Sequence, residues 1–300
     1  SILSRSSVRS AWIVKNDDYP ALYQDADSAS LKSQRHFFFA LGSSLILLVL
    51  AALISVVNYH AVWLASLQAL LLSISLALTV YLALSQPQRT WYGTRALAES
   101  VKTITWRFMM NAEPYDQKIV DARNNFISTL QKLITDNPYT KHVTAWSDAP
   151  QITPYMTRVR RMSLVSRKDV YDKDRIREQL KWYKGKAKWN DLRSSNWFWL
   201  MAGLQAIAVI CAIARIWFYE TPLWPTDVLV TATSAVLAWS QAKRFQELSA
   251  SYNLTAHEIA SLHSKLPDLR TVQQFSLFVG DAENAFSREH TQWSARRDVL

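Results

Sequence analysis

The sequence predicts an all-α membrane protein with two transmembrane helical hairpins, four spans in all, continued by long cytoplasmic amphipathic helices. Three observations predict this class. No Asp, Glu, Lys or Arg occurs from Phe37 through Gln88, although charged residues form 19% of the chain, and a soluble helix has little reason to avoid charge for so long. Only five glycines occur in 300 residues, which argues against turn-rich β folds. Thirteen tryptophans and twelve tyrosines supply side chains that favour the lipid–water boundary.

The first hairpin follows an N-terminal segment, residues 1–34. Residues 36–57 form an apolar stretch whose only ionisable side chain is His36. At about 1.5 Å per residue this stretch is roughly 33 Å long, enough to cross the hydrocarbon of a bilayer. A short polar turn, 58–60, precedes a second apolar stretch, 61–84, which ends before Pro87. These spans and the helix after them make a first predicted module, residues 35–112.

Residues 89–110 keep an apolar stripe at helical spacing, Leu97, Val101, Ile104 and Phe108. We predict an amphipathic helix that is kinked or restarted at Pro87. The following segment contains four prolines and many Asn, Thr and Asp residues. It is predicted to be a linker, residues 113–157, with one short helix near 117–134.

The second predicted module, residues 158–300, contains a weaker copy of the hairpin, with spans at about 197–218 and 226–242. Arg215 interrupts the first of these stretches near its end, where a side chain can reach the interface. Aromatic residues at both ends favour a membrane location. The alternative is a buried hairpin of a soluble domain. In either hairpin the connecting turn has no Lys or Arg, so the positive-inside rule predicts cytoplasmic termini.

Residues 158–188 contain twelve Lys or Arg and four Asp or Glu. We interpret this excess as a solvated helix face beside an anionic inner leaflet. A docking surface for an anionic ligand is the alternative, and direct nucleic-acid binding is not expected because no recognition motif accompanies the charge. The C-terminal acids Asp281, Glu283 and Glu289 are predicted to pair with this segment as surface ion pairs, each worth roughly 0 to 1 kcal/mol.

No catalytic motif is present. His257-Glu258 lacks the second histidine of a zinc-protease helix, since position 261 is Ser. The single cysteine, Cys211, excludes an internal disulfide and a thiolate metal cluster. We therefore predict that the protein is not an enzyme and needs no cofactor or metal.

The apolar stretches do contain uncharged polar residues at helical spacing. One interpretation is that they hold helices together. The other is that they line a water-filled path in a homo-oligomer, because a glutamine that faced lipid would be costly. On that reading the pore-lining candidates are Gln68, Ser75, Thr79, Gln205, Thr231, Ser234 and Gln241.

Several segments also resemble a known family. Residues 96–107, ALAESVKTITWR, with Glu113-Pro114 resemble the segment after the hairpin in one branch of the SLATT families, part of which was called DUF4231. The second half resembles another branch. Its matching residues are Ile152 to Met156 with Arg160, Arg175-Ile176 with Gln179, Trp182-Tyr183 with Lys186-Ala187 and Asn190, Phe278-Val279 with Glu283, and Ser287 to His290 with Trp293.

The resemblance implies a bacterial two-transmembrane domain proposed as a pore-forming effector of anti-phage conflict systems, often encoded beside nucleotide-generating or nucleotide-sensing partners. We therefore expect a homo-oligomeric, ion-conducting or lytic pore of the bacterial inner membrane. The alternatives are a non-conducting anchor or scaffold that recruits a cytoplasmic partner, and a constitutive housekeeping channel. The candidates for cytoplasmic coupling or gating are Arg95, Glu99, Lys102, Arg107, Glu113, Lys186, Glu283 and Glu289.

Overall fold

The computed structural model describes residues 14–57, 61–218 and 220–297, with side chains described as far as Ser287. Within these ranges the regular structure is entirely helical, and three short 3-10 turns accompany the longer helices. The predicted turn at 58–60 lies outside the described residues. The helices are α1 (Ala21–Val56), α2 (Val62–Ser85), α3 (Pro87–Met109), α4 (Ile119–Asp136), α5 (Pro154–Arg160), α6 (Leu164–Tyr171), α7 (Glu178–Trp217), α8 (Thr226–Lys243), α9 (Phe245–Lys265) and α10 (Val272–Arg297).

Three of the described helices are long and apolar enough to cross a membrane, and they contain the stretches predicted as the first three spans. These are α1, the segment Val62–Met109, which contains α2 and α3, and the segment Leu164–Trp217, which ends with α7. The helix at the fourth predicted span, α8, has 18 residues and is not among the three. The all-α membrane class predicted from the sequence is confirmed.

The helix restarts at Pro87, as the sequence predicts. Gln86 has left-handed backbone angles, φ 42° and ψ 50°, and its N–H donates to the Leu82 carbonyl at 3.2 Å. Pro87 then begins α3, which suits a residue without an N–H because the first helical positions have no partner within the helix. The amphipathic helix therefore has its own start and its own orientation of side chains.

The chain divides into two compact units, and each draws on both halves of the sequence. The polar unit comprises residues up to Ser33, Arg89–Gly185 and the residues from Ser251 onward. The apolar unit comprises Gln34–Gln88 and Lys186–Ala250. The apolar unit contains both hairpins, whereas the polar unit contains most of the charged residues singled out above.

The polar unit is built around the stripe predicted on α3. Leu97, Val101 and Phe108 are at most 1% exposed, and Ile104 packs against the same core. The short helix predicted near 117–134 is confirmed as α4, which adds Phe126 to the core. Residues of the predicted linker therefore contribute to the packing of this unit.

In the apolar unit, the second hairpin lies against the first. A Cβ at Gly42 would lie 3.3 Å from the Trp239 ring, so α1 and α8 approach closely at this glycine. The Phe38 and Trp239 ring centroids are 5.7 Å apart, and Lys243 Nζ lies 3.3 Å from the Phe38 ring centroid. α8 thus packs directly on a helix that has the length and hydropathy of a span.

Candidate functional site

Uncharged polar side chains of the first hairpin bond to one another across α1 and α2. The Oγ atoms of Ser44 and Ser75 lie 2.9 Å apart, and both residues are buried. Gln68 Nε2 donates to the Ala51 carbonyl at 3.2 Å and also to Ser55 Oγ. In lipid, such bonds satisfy polar groups that water cannot reach. Gln68 and Ser75 therefore hold the two helices together within one chain.

The hydroxyl candidates Thr79, Thr231 and Ser234 bond within their own helices. Each donates to the carbonyl four residues earlier, at 3.0, 2.8 and 3.0 Å respectively. Their oxygens are left with acceptor capacity for a second partner. Thr233 of α8 is buried as well and donates to the Leu229 carbonyl at 2.8 Å, although the spacing of polar residues did not single it out.

The two glutamines of the second hairpin are exposed. Gln241 lies near the end of α8, which finishes at Lys243. Gln205 lies inside the apolar part of α7, and its side chain makes no hydrogen bond to any residue that the structure describes. An amide that faced lipid at this position would lose its hydrogen bonds to water without replacement. Within the described residues the Gln205 amide therefore remains without a hydrogen-bond partner.

Four of the coupling candidates lie on α3, and three of them, Arg95, Glu99 and Lys102, lie near the start of α1. Arg95 binds Asp27 of α1 at 3.0 Å and Glu99, one turn further along α3, at 2.6 Å. Burial alone would lower the pKa of Arg95, but the charges of Glu99 and Asp27 outweigh burial and raise it above its ordinary value. Lys102 lies 5.7 Å from the Tyr19 ring centroid, and burial lowers its pKa. These charges fix the start of α1 against α3.

Arg107 connects α3 with α10. Its guanidinium donates to the Gly280 carbonyl at 3.1 Å and to Asn284 Oδ1 at 2.6 Å. Just beyond α3, the backbone N–H of Glu113 donates to Ser276 Oγ at 3.0 Å, while the Glu113 side chain is exposed. The region around Glu113 is therefore held through its backbone, and its carboxylate remains at the surface.

Glu283 lies at the centre of the polar unit, fully buried. Arg175 makes a two-pronged contact with it, Nε to Oε1 at 2.9 Å and Nη2 to Oε2 at 2.6 Å. The Tyr171 hydroxyl also donates to Oε1 at 2.9 Å. The predicted pairing of a C-terminal acid with the basic segment is confirmed here. Its predicted surface location was wrong, since the side chains of Arg175 and Glu283 are 2% and 0% exposed.

Aromatic rings enclose this ion pair. The Arg175 guanidinium lies 4.7 Å from the Phe286 ring centroid and 5.9 Å from that of Trp106. Arg175 belongs to a π-helical stretch, Asp172–Arg177, between α6 and α7. Sequence reasoning did not propose Arg175 as a site residue. Arg175 and Glu283 are both among the residues that carry the family resemblance. This was the signal that could have identified Arg175.

Two further arginines of the basic segment are buried, so its description as a solvated face was incomplete. Arg160 donates to the carbonyls of Phe108, Tyr115 and Gln117 at 2.6, 2.6 and 3.0 Å, and Arg167 donates to the Met110 carbonyl. The last carbonyls of a helix have no hydrogen-bond donor within that helix. At the end of α3, Arg160 and Arg167 provide the missing donors. Burial, and then the charge of Arg167, lower the pKa of Arg160 to about 10.

The last two coupling candidates lie elsewhere. Lys186 belongs to the apolar unit, where its Nζ lies 5.6 Å from the Trp189 ring centroid. The Glu289 side chain lies outside the described residues. The coupling residues that the structure brings together are therefore those of α3 and α10, joined by Arg175 of the basic segment.

Asp174, in the same π-helical stretch, provides a pH-dependent test of this region. Burial, and then the charge of Glu178, raise the pKa of the Asp174 carboxyl to about 6, above about 3.9 for an unfolded chain. The folded form therefore holds this proton more tightly, and the resulting stability is present below about pH 4 and lost as the pH rises through about 6. We expect Asp174→Asn to raise the melting temperature at neutral pH.

The increase for Asp174→Asn should shrink as the pH falls below about 6, where the native carboxyl becomes protonated. Thermal melts of the detergent-solubilised protein, recorded by circular dichroism across this range, measure it. Asp121→Asn, which changes an exposed carboxylate on α4, is the control. An equal melting-temperature gain at every pH would contradict the assignment.

Comparisons with known proteins agree with this architecture. Residues 20–168 match a family model described as SLATT_3, SMODS and SLOG-associating 2TM effector domain 3. Residues 171–293 match SLATT_1, SMODS and SLOG-associating 2TM effector domain 1. Each matched region includes one hairpin, and the predicted tandem of two SLATT-like modules is confirmed. No curated protein and no solved structure gives a match.

Proposed function

Because the chain belongs to the SLATT family of two-transmembrane effector domains, which it contains twice, we propose that it is a pore-forming membrane effector. Several copies assemble around a common axis in a bacterial inner membrane. Activation through the polar unit opens an ion-conducting or lytic path. The protein acts by changing membrane permeability and carries out no chemical reaction.

The observation that carries this proposal is the exposed Gln205 in the apolar part of α7. Its amide needs either water or a partner from another chain. Ala202 and Ala208 lie on the same helical face as Gln205, three residues before and three residues after it, and small residues allow helices to approach closely. A second copy packed at this face, or a water-filled lumen beside it, would satisfy the amide.

The proposed pore requires the chain to cross the membrane four times, because each of the two hairpins would insert with the same orientation and cross it twice. α8 has 18 residues, which is about 27 Å of helix and close to the roughly 30 Å of bilayer hydrocarbon. Its contact with α1 through Trp239 and Gly42 supports a place beside a span. With four spans, the positive-inside rule puts the polar unit and both termini in the cytoplasm, next to the anionic inner leaflet.

A cytoplasmic polar unit is where a signalling or nucleotide-sensing partner would act. The buried ion pair of Arg175 and Glu283 connects α10 to the π-helical stretch that precedes α7, and the Arg107 contacts connect α10 to α3. Displacing α10 would break these bonds together. We propose that this is how a signal reaches the spans.

Gln205→Leu tests the proposal. We expect the substitution to reduce ion flux through vesicles containing the purified protein, and depolarisation of cells that express it, by about five- to thirtyfold. This corresponds to about 1 to 2 kcal/mol for an interhelical hydrogen bond. Flux is read with a potential-sensitive dye after a potassium gradient is imposed.

Ile210→Leu, which changes an exposed apolar residue of the same helix, is the matched control and should conduct like the unmodified chain. Gln68→Leu should instead loosen the α1–α2 hairpin, because Gln68 bonds inside it. Vesicles that stay sealed, and cells that keep their membrane potential, would contradict a pore and favour a non-conducting scaffold. Flux without toxicity would favour a housekeeping channel.

A further inference from the structure

The polar unit contains an open pocket of about 520 Å³ on the face where α4 and α5 meet. Its size lies within the range of about 300 to 1,000 Å³ typical of sites for small ligands. Three guanidinium groups and no carboxylate line it. The lining residues are Arg123, Ile152, Pro154, Thr157, Arg158 and Arg161.

The helical repeat of α5, continued by Arg161 directly after its end, explains why four of these residues converge. Positions 154, 157, 158 and 161 follow the i, i+3, i+4, i+7 spacing of a single helical face. The other face of α5 is buried and anchors the helix through Tyr155, Met156, Val159 and Arg160. α4 contributes Arg123 from across the pocket, while its own buried face carries Ala122 and Phe126. The arginines are thus presented by two helices anchored in the core.

The pocket has an excess of positive charge. Arg123, Arg158 and Arg161 are exposed, and none forms a salt bridge with a carboxylate in the described part of the chain. By contrast, the buried arginines Arg160 and Arg167 donate to carbonyl oxygens. Positive charges that line one pocket repel one another, and a bound anion offsets that repulsion.

We infer that this pocket binds the phosphate groups of a small polyphosphorylated molecule. A planar guanidinium donates two parallel hydrogen bonds to a phosphate, and three of them suit a ligand with more than one phosphate. Ile152 and Pro154 offer an apolar surface to the rest of the ligand. The phosphates have two possible sources, a soluble compound or a phospholipid headgroup. Binding at this site does not depend on the pore proposed above.

The test uses the full chain in phosphatidylcholine nanodiscs, with inorganic tripolyphosphate as the probe in isothermal titration calorimetry. The triple variant Arg123→Gln, Arg158→Gln, Arg161→Gln should weaken binding by about tenfold or more for each guanidinium that contacts the probe. The matched control is Lys132→Gln, Lys181→Gln, Lys184→Gln, which removes three exposed positive charges outside the pocket. The control should bind like the unmodified chain.

A second arm replaces the probe with nanodiscs that contain cardiolipin, a phospholipid with two phosphates, and measures the rise in melting temperature. If the pocket variant loses this rise and the control keeps it, while tripolyphosphate does not bind, the ligand is a headgroup. The inference is overturned if neither probe binds, or if both triple variants lose binding equally, because the attraction would then be general electrostatics. Ion flux plays no part in either readout, so a failure here is distinct from a failure of the pore.

Discussion

Glu283→Ala is expected to destabilise the polar unit by about 3 to 5 kcal/mol, the usual cost of removing one partner of a buried ion pair. The reason is the state of the partner left behind. Arg175 is 1% exposed, and its two hydrogen bonds to the carboxylate would have no replacement. The Tyr171 hydroxyl would also lose its acceptor. Pulse proteolysis in urea, on protein in detergent, measures the change in unfolding free energy.

Asp281→Ala is the matched control, because Asp281 is an exposed carboxylate on the same helix. It should change stability by no more than about 0.5 kcal/mol. The double substitution Arg175→Leu, Glu283→Leu should recover much of the loss, since apolar side chains leave no charge buried. If Glu283→Ala and Asp281→Ala have equal effects, the ion pair does not hold α10 in the core.

Trp106→Ala is the second large effect, again about 3 to 5 kcal/mol. Trp106 is fully buried, its Nε1–H donates to the Tyr19 hydroxyl at 3.1 Å, and its ring meets that of Tyr171 edge-on at 5.7 Å. Its removal leaves a cavity beside the Arg175 guanidinium. The same proteolysis experiment measures the change in stability.

Trp146→Ala provides the comparison, since Trp146 is 59% exposed. This substitution should cost much less stability, because the exposed Trp146 ring buries little apolar surface when the protein folds. We also expect Trp106→Phe to recover part of the loss, because the ring volume returns while the bond to Tyr19 does not. A Trp106→Ala variant as stable as Trp146→Ala would mean that α3 is not packed as described.

Together these substitutions probe how α3 and α10 are joined. Arg107 connects α3 with α10 directly, whereas Trp106 of α3 and Glu283 of α10 both contact Arg175. If displacement of α10 opens the proposed pore, then Glu283→Ala should also raise flux or toxicity in the absence of a signal. A loss of stability without a change in flux would assign these contacts to folding alone.

Much of the fold follows from local patterns in the sequence. The long charge-free stretch from Phe37 to Gln88 determines the first hairpin, since few environments other than lipid tolerate it. The stripe of Leu97, Val101 and Phe108 identifies the buried face of α3, because helical periodicity is a property of neighbouring residues. The restart at Pro87 follows from the missing N–H of proline.

The tertiary structure decided which polar side chains are paired and which are left over. Composition shows that residues 158–188 are basic, but burial of Arg160, Arg167 and Arg175 depends on carbonyls and a carboxylate contributed by distant segments. Likewise Gln68 and Gln205 look alike as glutamines in apolar stretches, yet only Gln68 meets a partner on a neighbouring helix. Periodicity is local and can be read along one chain segment, whereas hydrogen-bond partners and desolvation arise only when separate segments pack together.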